Sequence, residues 1–456
     1  MTINFVESAI DALSNELDGR LILPTDADYD TARTIVSNSA DKRPGAIVRV
    51  ESAADVQRTI EVARNEGLEL AVRSGGHSGG GYSSTEGGIV LDLRDMNAVT
   101  IDAEAETAWV ETGATSGQVI AAAAEHGLVV GFGDTASVGV GGITLGGGVG
   151  YLVRKWGLTI DSLLAAEVVT ADGRLLTTSE HDHPELFWAL RGGGGNFGVV
   201  VDFDFVAQPV TNLHFGSVAY RLDDPADLLV RWRDAMRLAP EELSSTLVLM
   251  PGAPAAATVL LCYAGDPGTT AAHVDAATEP LFELGTVTRA NLAERRYPDI
   301  LEDGQHPPGL RLVVRNALVP TLDDAVIGAM TRMHAAAHPT VIAVRSLGGA
   351  FGRVPADATA FAHRDAEAMV VGMVMLPDTA TDAEAERALV GWRAVAAHGT
   401  GTYVNFQGSA TAADLAAAYP PATYARLAAV KRAYDPTNRF ARNHNVEPAP
   451  AENPAA

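Results

Sequence analysis

Three glycine-dense loops, Gly75 to Gly81, Gly139 to Gly150 and Gly192 to Gly198, constrain this chain more than any other feature. Each follows a strand or joins two elements, and each offers backbone N–H groups with no side chain in the way. Together, such loops suit a large anionic ligand held by backbone nests rather than by lysine. Lysine is scarce here, confined to Lys42, Lys155 and Lys431. Taken singly, each loop also reads as a tight turn of an α/β sheet, because one glycine-rich match is weak evidence. Neither standard phosphate fingerprint fits. No GxxxxGK[ST] string occurs, and GVGGITLGGGVG does not open a βαβ unit with an acid about 20 residues on. The odd residue is His77, an imidazole set in RSGGHSGGG, where a turn needs only small side chains. A solvated or capping histidine is the alternative reading.

The chain has 456 residues, of which 47% are hydrophobic and 20% charged, enough to bury a sizeable core in two or three domains. Lys plus Arg number 33 against 57 Asp plus Glu, a formal charge of −24, which repels phosphate backbones and anionic lipid. Neither a nucleic acid nor a membrane is therefore expected as a partner. The preference for arginine and alanine reads as the codon usage of a GC-rich genome, with adaptation to salt as the alternative. The single cysteine, Cys262, excludes an internal disulfide and any cysteine-based zinc or iron–sulfur site, and no metal is expected. The first residues carry acids where a signal peptide needs a basic start and an apolar run. No later stretch approaches the roughly 20 apolar residues of a membrane span, so a cytoplasmic location is expected.

From Ala46 to Ser78 the pattern is strand, amphipathic helix, strand and glycine turn, an α/β opening. Ile89 to Leu93 and Ala108 to Thr112 read as strands. Ala165 to Thr170 and Leu175 to Thr178 read as a hairpin around Asp172-Gly173, and HPELFWALRG as a helix. After Ala207 the glycine clusters stop. Strands such as STLVLM, ATVLLCYAG, LRLVVRNALV and AMVVGMVML then alternate with helices, predicting an antiparallel or mixed sheet with helices on one face. GTYVNFQG reads as an alternating strand, with Tyr403 and Asn405 sharing a face. The expected division is residues 1–207, 208–410, a mainly helical C-terminal segment at 411–447 and a disordered Pro/Ala/Glu tail at 448–456.

Four motifs in order carry a more specific signal: AVRSGGHSGGGYSSTEGGIVLDLRDMN, VGVGGITLGGGVGYLVRKWGL, HPELFWALRGGGGNFGVV and KRAYDPTNRFARNHNVEP. They resemble the FAD-linked oxidases of the vanillyl-alcohol oxidase superfamily, in the berberine-bridge-enzyme-like branch, over nearly the whole chain. The resemblance implies an α+β fold: a two-lobed FAD-binding domain, completed by the C-terminal segment, plus a substrate domain whose antiparallel sheet is flanked by helices. It implies FAD bonded to His77, with Arg73, Ser74, Gly75, Gly76 and Ser78 around the pyrophosphate. Ser137, Val138, Gly139, Gly141, Gly142, Gly146, Val200, Asn443 and Asn445 are the further cofactor positions implied. In doubly linked members a cysteine makes a second bond to the flavin. Here that position is Thr135, which cannot form a thioether, so attachment through His77 alone is expected.

The function implied is an oxidase that takes a hydride from a C–N or C–OH centre of a small molecule and passes electrons to O2, giving H2O2. Val138 stands where a small side chain is associated with access of O2. Tyr403 and Asn405 match a YxN element in which the tyrosine serves as base and the asparagine orients. A dehydrogenase with another acceptor, and a flavin-binding protein without turnover, remain the alternatives; a homodimer is left open. Where nicotine-oxidising members carry a basic and an acidic side chain before a glycine turn, this chain has Ala343 and Arg345. His306, Arg311 and Arg345, with Arg315, His363 and Arg364, are candidates for orienting a polar substrate, although for each of them a surface or core-edge ion pair is the better reading.

Overall fold

The computed structural model describes residues 10, 13–36, 41–210, 213–252, 255–266, 268–304, 309–336, 340–389 and 391–451. Its first sheet is built where hydrophobic spacing switches between periods of 2 and 3.6. Strands Ala46–Arg49 and Leu70–Arg73 flank Ile89–Asp92 in parallel, and Arg20–Ile22 adds antiparallel to the first of them. The connecting helix Ala53–Asn65 starts at Ser52, whose hydroxyl accepts from the Asp55 N–H. It buries Val56, Thr59, Ile60 and Ala63, a stripe at helical spacing, and Gly67 at φ +65° lets the chain leave it.

A second, antiparallel sheet has the order Val99–Asp102, Thr107–Glu111, Val199–Val206, Leu163–Val169, Leu175–Ser179. Its last two strands are the hairpin expected around Asp172-Gly173, with Gly173 at φ +86°. The third sheet is antiparallel throughout, in the order Val287–Arg295, Leu213–Arg221, Ala256–Tyr263, Leu243–Met250, Thr340–Ser346, Ala368–Pro377, Leu310–Val319. The α+β class expected from the sequence is the class observed.

Buried and half-buried residues alternate along Thr340–Ser346 and most of Ala368–Pro377, which gives the third sheet two distinct faces. One face, with Ile342, Val344, Val370 and Val374, packs on Leu229, Trp232, Met330 and Met333 of helices Pro225–Leu238 and Asp324–His334. The other face meets the glycine loops: Met369, Leu318 and Tyr403 share a cluster with Val149, Val153 and Leu158.

Helix Pro421–Tyr434 carries the chain back to the first half. Its fully buried Lys431 donates to the carbonyls of Asn196 (2.7 Å) and Phe440 (3.0 Å) and to the Asp435 carboxylate (2.7 Å). Burial lowers the pKa of the lysine, and the charge of Asp435 opposes that shift. The Asn196 side chain completes the tie, donating to Gly193 O and His444 O and accepting from Val446 N–H. The third glycine loop and the C-terminal segment are thus fastened together by groups that have no water to turn to.

Three local expectations are corrected. GTYVNFQG is not a strand: Val404–Phe406 is a single 3-10 turn preceded by extended Tyr403. The second glycine stretch is not wholly loop, since Val140–Gly146 forms a short helix ended by Gly147 at φ +130°. The tail is docked at its start, because Ala449 N–H donates to Ala428 O and its side chain packs on the core; residues 452–456 lie outside the described residues. Cys262 is buried, and burial pushes its thiol up to about 12. Among the described residues, no helix is long and apolar enough to cross a membrane.

One carboxylate is placed at a cost. Asp202 sits between Glu111 and Glu167 across the second sheet, and burial, then the charges of Glu167 and Asp204, push its pKa up to about 7. The unfolded chain ionises this group near pH 4 and the folded chain near pH 7, so between those values folding takes up a proton and stability falls as pH rises. Asp202→Asn should therefore raise stability at pH 8 by about 2 kcal/mol or more, and the gain should shrink towards pH 4. Urea unfolding of both proteins at pH 4.5 and pH 8 checks this expectation.

Candidate functional site

The first two glycine loops touch backbone to backbone. A Cβ on Gly75 would fall 2.2 Å from Gly139 N, and one on Gly139 would fall 2.1 Å from both Gly75 N and Ser74 Oγ. The third loop joins them through a single carbonyl: Leu145 O, near the end of the Val140–Gly146 helix, accepts from Gly192 N–H (3.1 Å) and Gly194 N–H (3.0 Å). Gly142, by contrast, has nothing within 4 Å of where its Cβ would lie. It opens onto a cavity of about 420 Å³, which the three loops line together with Tyr403 to Gly408 and Asn443.

That cavity is rich in hydrogen-bonding groups, with Asp134 and Arg442 as the charged side chains of its lining. Ser83 Oγ, Thr112 Oγ1, Gln407 Oε1, Arg442 Nε and Asn443 Oδ1 belong to lining residues and are buried without a partner among the described residues. Buried polar atoms are normally paired, so a group of orphans around one cavity marks a ligand surface. Bare backbone, small hydroxyls and amides, in a volume typical of cofactor sites, fit a dinucleotide such as FAD.

His77 lies at one end of this space. Its Nε2 is 3.1 Å from Ser137 Oγ, and that hydroxyl also donates to Asp303 O at 2.9 Å. Residues 302–304 reach the site because they run against the loop after Asp134: Ala136 N–H donates to Glu302 O, and Glu302 N–H donates to Asp134 O. Asp303 therefore comes from the chain beyond the second sheet and reaches His77 only through the Ser137 hydroxyl, a link that the sequence did not signal.

Tyr403 and Asn405 meet at another wall. Asn405 Nδ2 donates to Tyr403 Oη (2.9 Å) and to Ile143 O (3.1 Å). Two backbone N–H groups, of Gly148 (3.1 Å) and Val149 (3.4 Å), also donate to Tyr403 Oη. Burial pushes the Tyr403 phenol up, and the three donors and the charge of Arg345 offset only part of that shift. Two contacts fix the Tyr403 backbone from the third sheet, where Asn316 Nδ2 donates to Tyr403 O (2.8 Å) and Asn316 Oδ1 accepts from Tyr403 N–H (2.7 Å). The two residues were paired from strand alternation. The 3-10 turn brings them together instead.

Of the cofactor positions named from the sequence, Ser74, Gly75, Gly76, His77, Ser78, Thr135, Val138, Gly139, Gly141, Gly142, Gly146, Val200 and Asn443 line the cavity. Arg73 does not: its buried guanidinium donates to Ala32 O and Ser83 O and sits beside Asp92, so it braces the first sheet. Ser137 acts behind the lining through His77, and Asn445 lies outside it.

The substrate-orienting candidates are mostly engaged elsewhere. Arg345 holds Asp134 at 2.5 Å and also reaches Val149 O and Thr246 Oγ1. Burial acts against the charge of Asp134, and Arg345 more than reverses it, holding the carboxyl below its usual range. Arg311 donates to Ala380 O, Arg315 pairs with Glu386, Arg364 grips Asp161 with two bonds, and His363 Nε2 lies 3.0 Å from Ala418 O. His306 lies outside the described residues. Tyr82, Leu312, Val314, Phe406, Arg442 and His444 line the cavity without having been named from the sequence. Leu312 and Val314 alone had a signal, the strand alternation of LRLVVRNALV.

The family described as "FAD binding domain" matches residues 44–179, and "Berberine and berberine like" matches residues 402–447. The (R)-6-hydroxynicotine oxidase of Paenarthrobacter nicotinovorans is 33% identical, over 95% of this chain and 97% of the relative. YgaK of Bacillus subtilis, an uncharacterized FAD-linked oxidoreductase, is 30% identical over 95% of this chain and 98% of its own length. The crystal structure of 6-hydroxy-D-nicotine oxidase from Arthrobacter nicotinovorans superposes with a TM-score of 0.84 at 30% identity, covering 95% of this chain and 98% of that one. Xylooligosaccharide oxidase from Myceliophthora thermophila gives 0.85 at 25% identity, covering 97% and 100%.

The glycine geometry predicts two different failures. Gly139→Ala must separate two loops in backbone contact, so it should lower the melting temperature and the flavin content together. Gly142→Ala meets no protein atom within 4 Å, so it should keep the melting temperature of the flavin-free protein and lose flavin about tenfold or more. Absorbance at 450 nm against 280 nm, with thermal melts of both variants, checks the distinction.

Proposed function

This chain belongs to the berberine-bridge-like FAD-linked oxidoreductases, and on that footing we propose that it is an oxidase acting on a C–N or C–OH centre of a small molecule, with FAD carried on His77 alone and O2 as the acceptor. The observation that carries the reading is one cavity joining glycine loops, His77 and the Tyr403–Asn405 pair. When bound, FAD supplies the hydride acceptor and the route to O2, which yields H2O2. The chain's own residues supply attachment, orientation and the handling of one proton.

Attachment is favoured by the surroundings of His77. A carbonyl can only accept, so Asp303 O takes the Ser137 proton, and Ser137 Oγ is left to accept from His77 Nε2–H. That sets the neutral tautomer with its lone pair on Nδ1, the nucleophilic nitrogen. At the position where doubly linked members carry a cysteine, Thr135 offers a hydroxyl that donates to Asp134 and no sulfur. Val138 lines the cavity, in keeping with access of a small oxidant. Acid precipitation of the purified protein should leave a yellow pellet, and His77→Ala should release its flavin to the supernatant. A peptide bearing FAD at another residue overturns the attachment.

Tyr403 is the proposed base. As a C–H bond beside O–H or N–H gives up its hydride, the attached proton becomes acidic and needs an acceptor within reach. Ionised Tyr403 is suited to that task because three N–H donors already point at Oη, while Asn405 holds the ring side in place. With the pKa above the ordinary value, the ionised fraction grows about tenfold per pH unit through neutral and mildly alkaline pH. The rate of anaerobic flavin reduction should climb with that slope between pH 7 and pH 9. Tyr403→Phe should slow it by about 10²-fold or more and flatten the profile. A flat profile in the parent protein would remove Tyr403 as base and leave an amine that binds already deprotonated.

A further inference from the structure

We infer that the substrate is a largely apolar molecule with a single polar group at the carbon it oxidises, and is neither a sugar nor a charged acid. The inference rests on the function proposed above and names the substrate class of the same site.

It comes from the face of the third sheet that the helices leave uncovered. Leu312 and Val314 are half-buried and line the cavity with Tyr403 and Asn405. The register carries the same face across the sheet: Val314 pairs with Met373, which pairs with Val341, and Val371 pairs with Ala343. All four of those residues are half-buried, whereas the intervening Ile342, Val344, Val370 and Val374 are buried beneath helices. The alternation is therefore not that of a sheet with one wet, polar side. Its second side is aliphatic and thioether, continuous with the cavity through Leu312 and Val314.

On Leu310–Val319, Ala368–Pro377 and Thr340–Ser346, two polar side chains share this face, and both are committed. Asn316 spends both ends of its amide on the Tyr403 backbone, and Arg345 is held by Asp134. Arg311 and Arg315 start from the other side of the strand: Ala380 O engages Arg311, while Arg315 pairs with Glu386 and donates to Val314 O beside Gly408. A sugar presents a hydroxyl at nearly every carbon, and each one placed against this wall would exchange water for a methyl group. An apolar body loses nothing there and leaves its one O–H or N–H for the polar end of the site, where Tyr403 and Asn405 stand. Met373 adds a side chain that adapts its shape, which suits ring-bearing bodies of differing outline.

The test uses flavin-loaded protein and two readouts, the spectral shift of bound flavin on titration and anaerobic flavin bleaching. The probes are 1-phenylethanol, 1-tetralol and 2-phenylpyrrolidine against glucose, xylobiose and mandelate. At least one apolar probe should bind tenfold or more tightly than any of the other three. Val314→Asn in the lining should weaken that probe about tenfold, and Met373→Gln, on the wall beyond the lining, should do the same while flavin content stays unchanged. Tighter binding of a saccharide or of mandelate, binding of no apolar probe, or unchanged affinity in both variants overturns the inference. Tight apolar binding without bleaching sinks the oxidase reading instead and leaves the substrate class standing.

Discussion

The contact on which the rest of this structure depends is the meeting of two main chains at Gly75 and Gly139. Protein interiors are packed closely enough that one methyl group is felt, and here there is no room for one on either side. Because the loops touch, the first sheet and the Val140–Gly146 helix are brought to a fixed spacing, and Leu145 O is presented to the third loop. Three loops that look alike in sequence thus do three things: two form the seam, and the third closes on it by hydrogen bonds. The nests that remain open, at Gly142 above all, are what is left for a ligand.

The third sheet is aligned to that seam by polar ties rather than by apolar area alone. Arg345 crosses from the sheet to Asp134, and Glu302 exchanges backbone bonds with residues 134 and 136 on the same loop. A buried ion pair is poor evidence of net stability, since desolvating two charges offsets much of their attraction. What such a pair contributes is register, because any other seating leaves an uncompensated charge in a dry place. Asp134 is followed directly by Thr135 and, two residues later, by Ser137, so the same short loop sets the sheet's position and holds His77. Removing Arg345 is therefore a question of geometry at the site as much as of substrate.

How much was legible in the sequence follows from which forces are local. Gly67 and Gly173 mark a helix end and a hairpin turn because their backbone angles are a property of one residue, and both elements were readable. The sheet of the second half was readable because alternation is written along each strand. Arg73 was misplaced because the resemblance counted it among the residues around the pyrophosphate, whereas its guanidinium turns back to Ala32, 41 residues earlier. The turn at Val404–Phe406 was missed since polar and apolar residues alternate there for a tertiary reason: Asn316 captures the Tyr403 backbone on both sides, and the chain cannot continue as a ladder. Asp303, which reaches His77 through the Ser137 hydroxyl, carried no signal at all, because a backbone carbonyl has no residue identity.

The proposed base brings these threads to one oxygen. Among the described residues, three groups donate to Tyr403 Oη and none is recorded accepting from it. A neutral phenol there has a proton without a protein acceptor, and an ionised one has a ready-made cradle. Charge-assisted hydrogen bonds contribute about 1.5–3 kcal/mol each, while the effective penalty for burying a charge is several kcal/mol, so the two effects come close to balance with burial ahead. On the proposed function, the neutral form only orients the substrate, by a hydrogen bond from Oη–H to the lone pair of its oxygen or nitrogen. The ionised form, rarer at neutral pH, is the one that can take a proton away. Both roles need Oη where it is, and that position is set from two sides, by backbone N–H groups of the second glycine loop and by the Asn316 amide from the sheet. The glycine seam and the sheet alignment are therefore joint determinants of the reaction's proton, and a change in either is felt at Tyr403 without touching it.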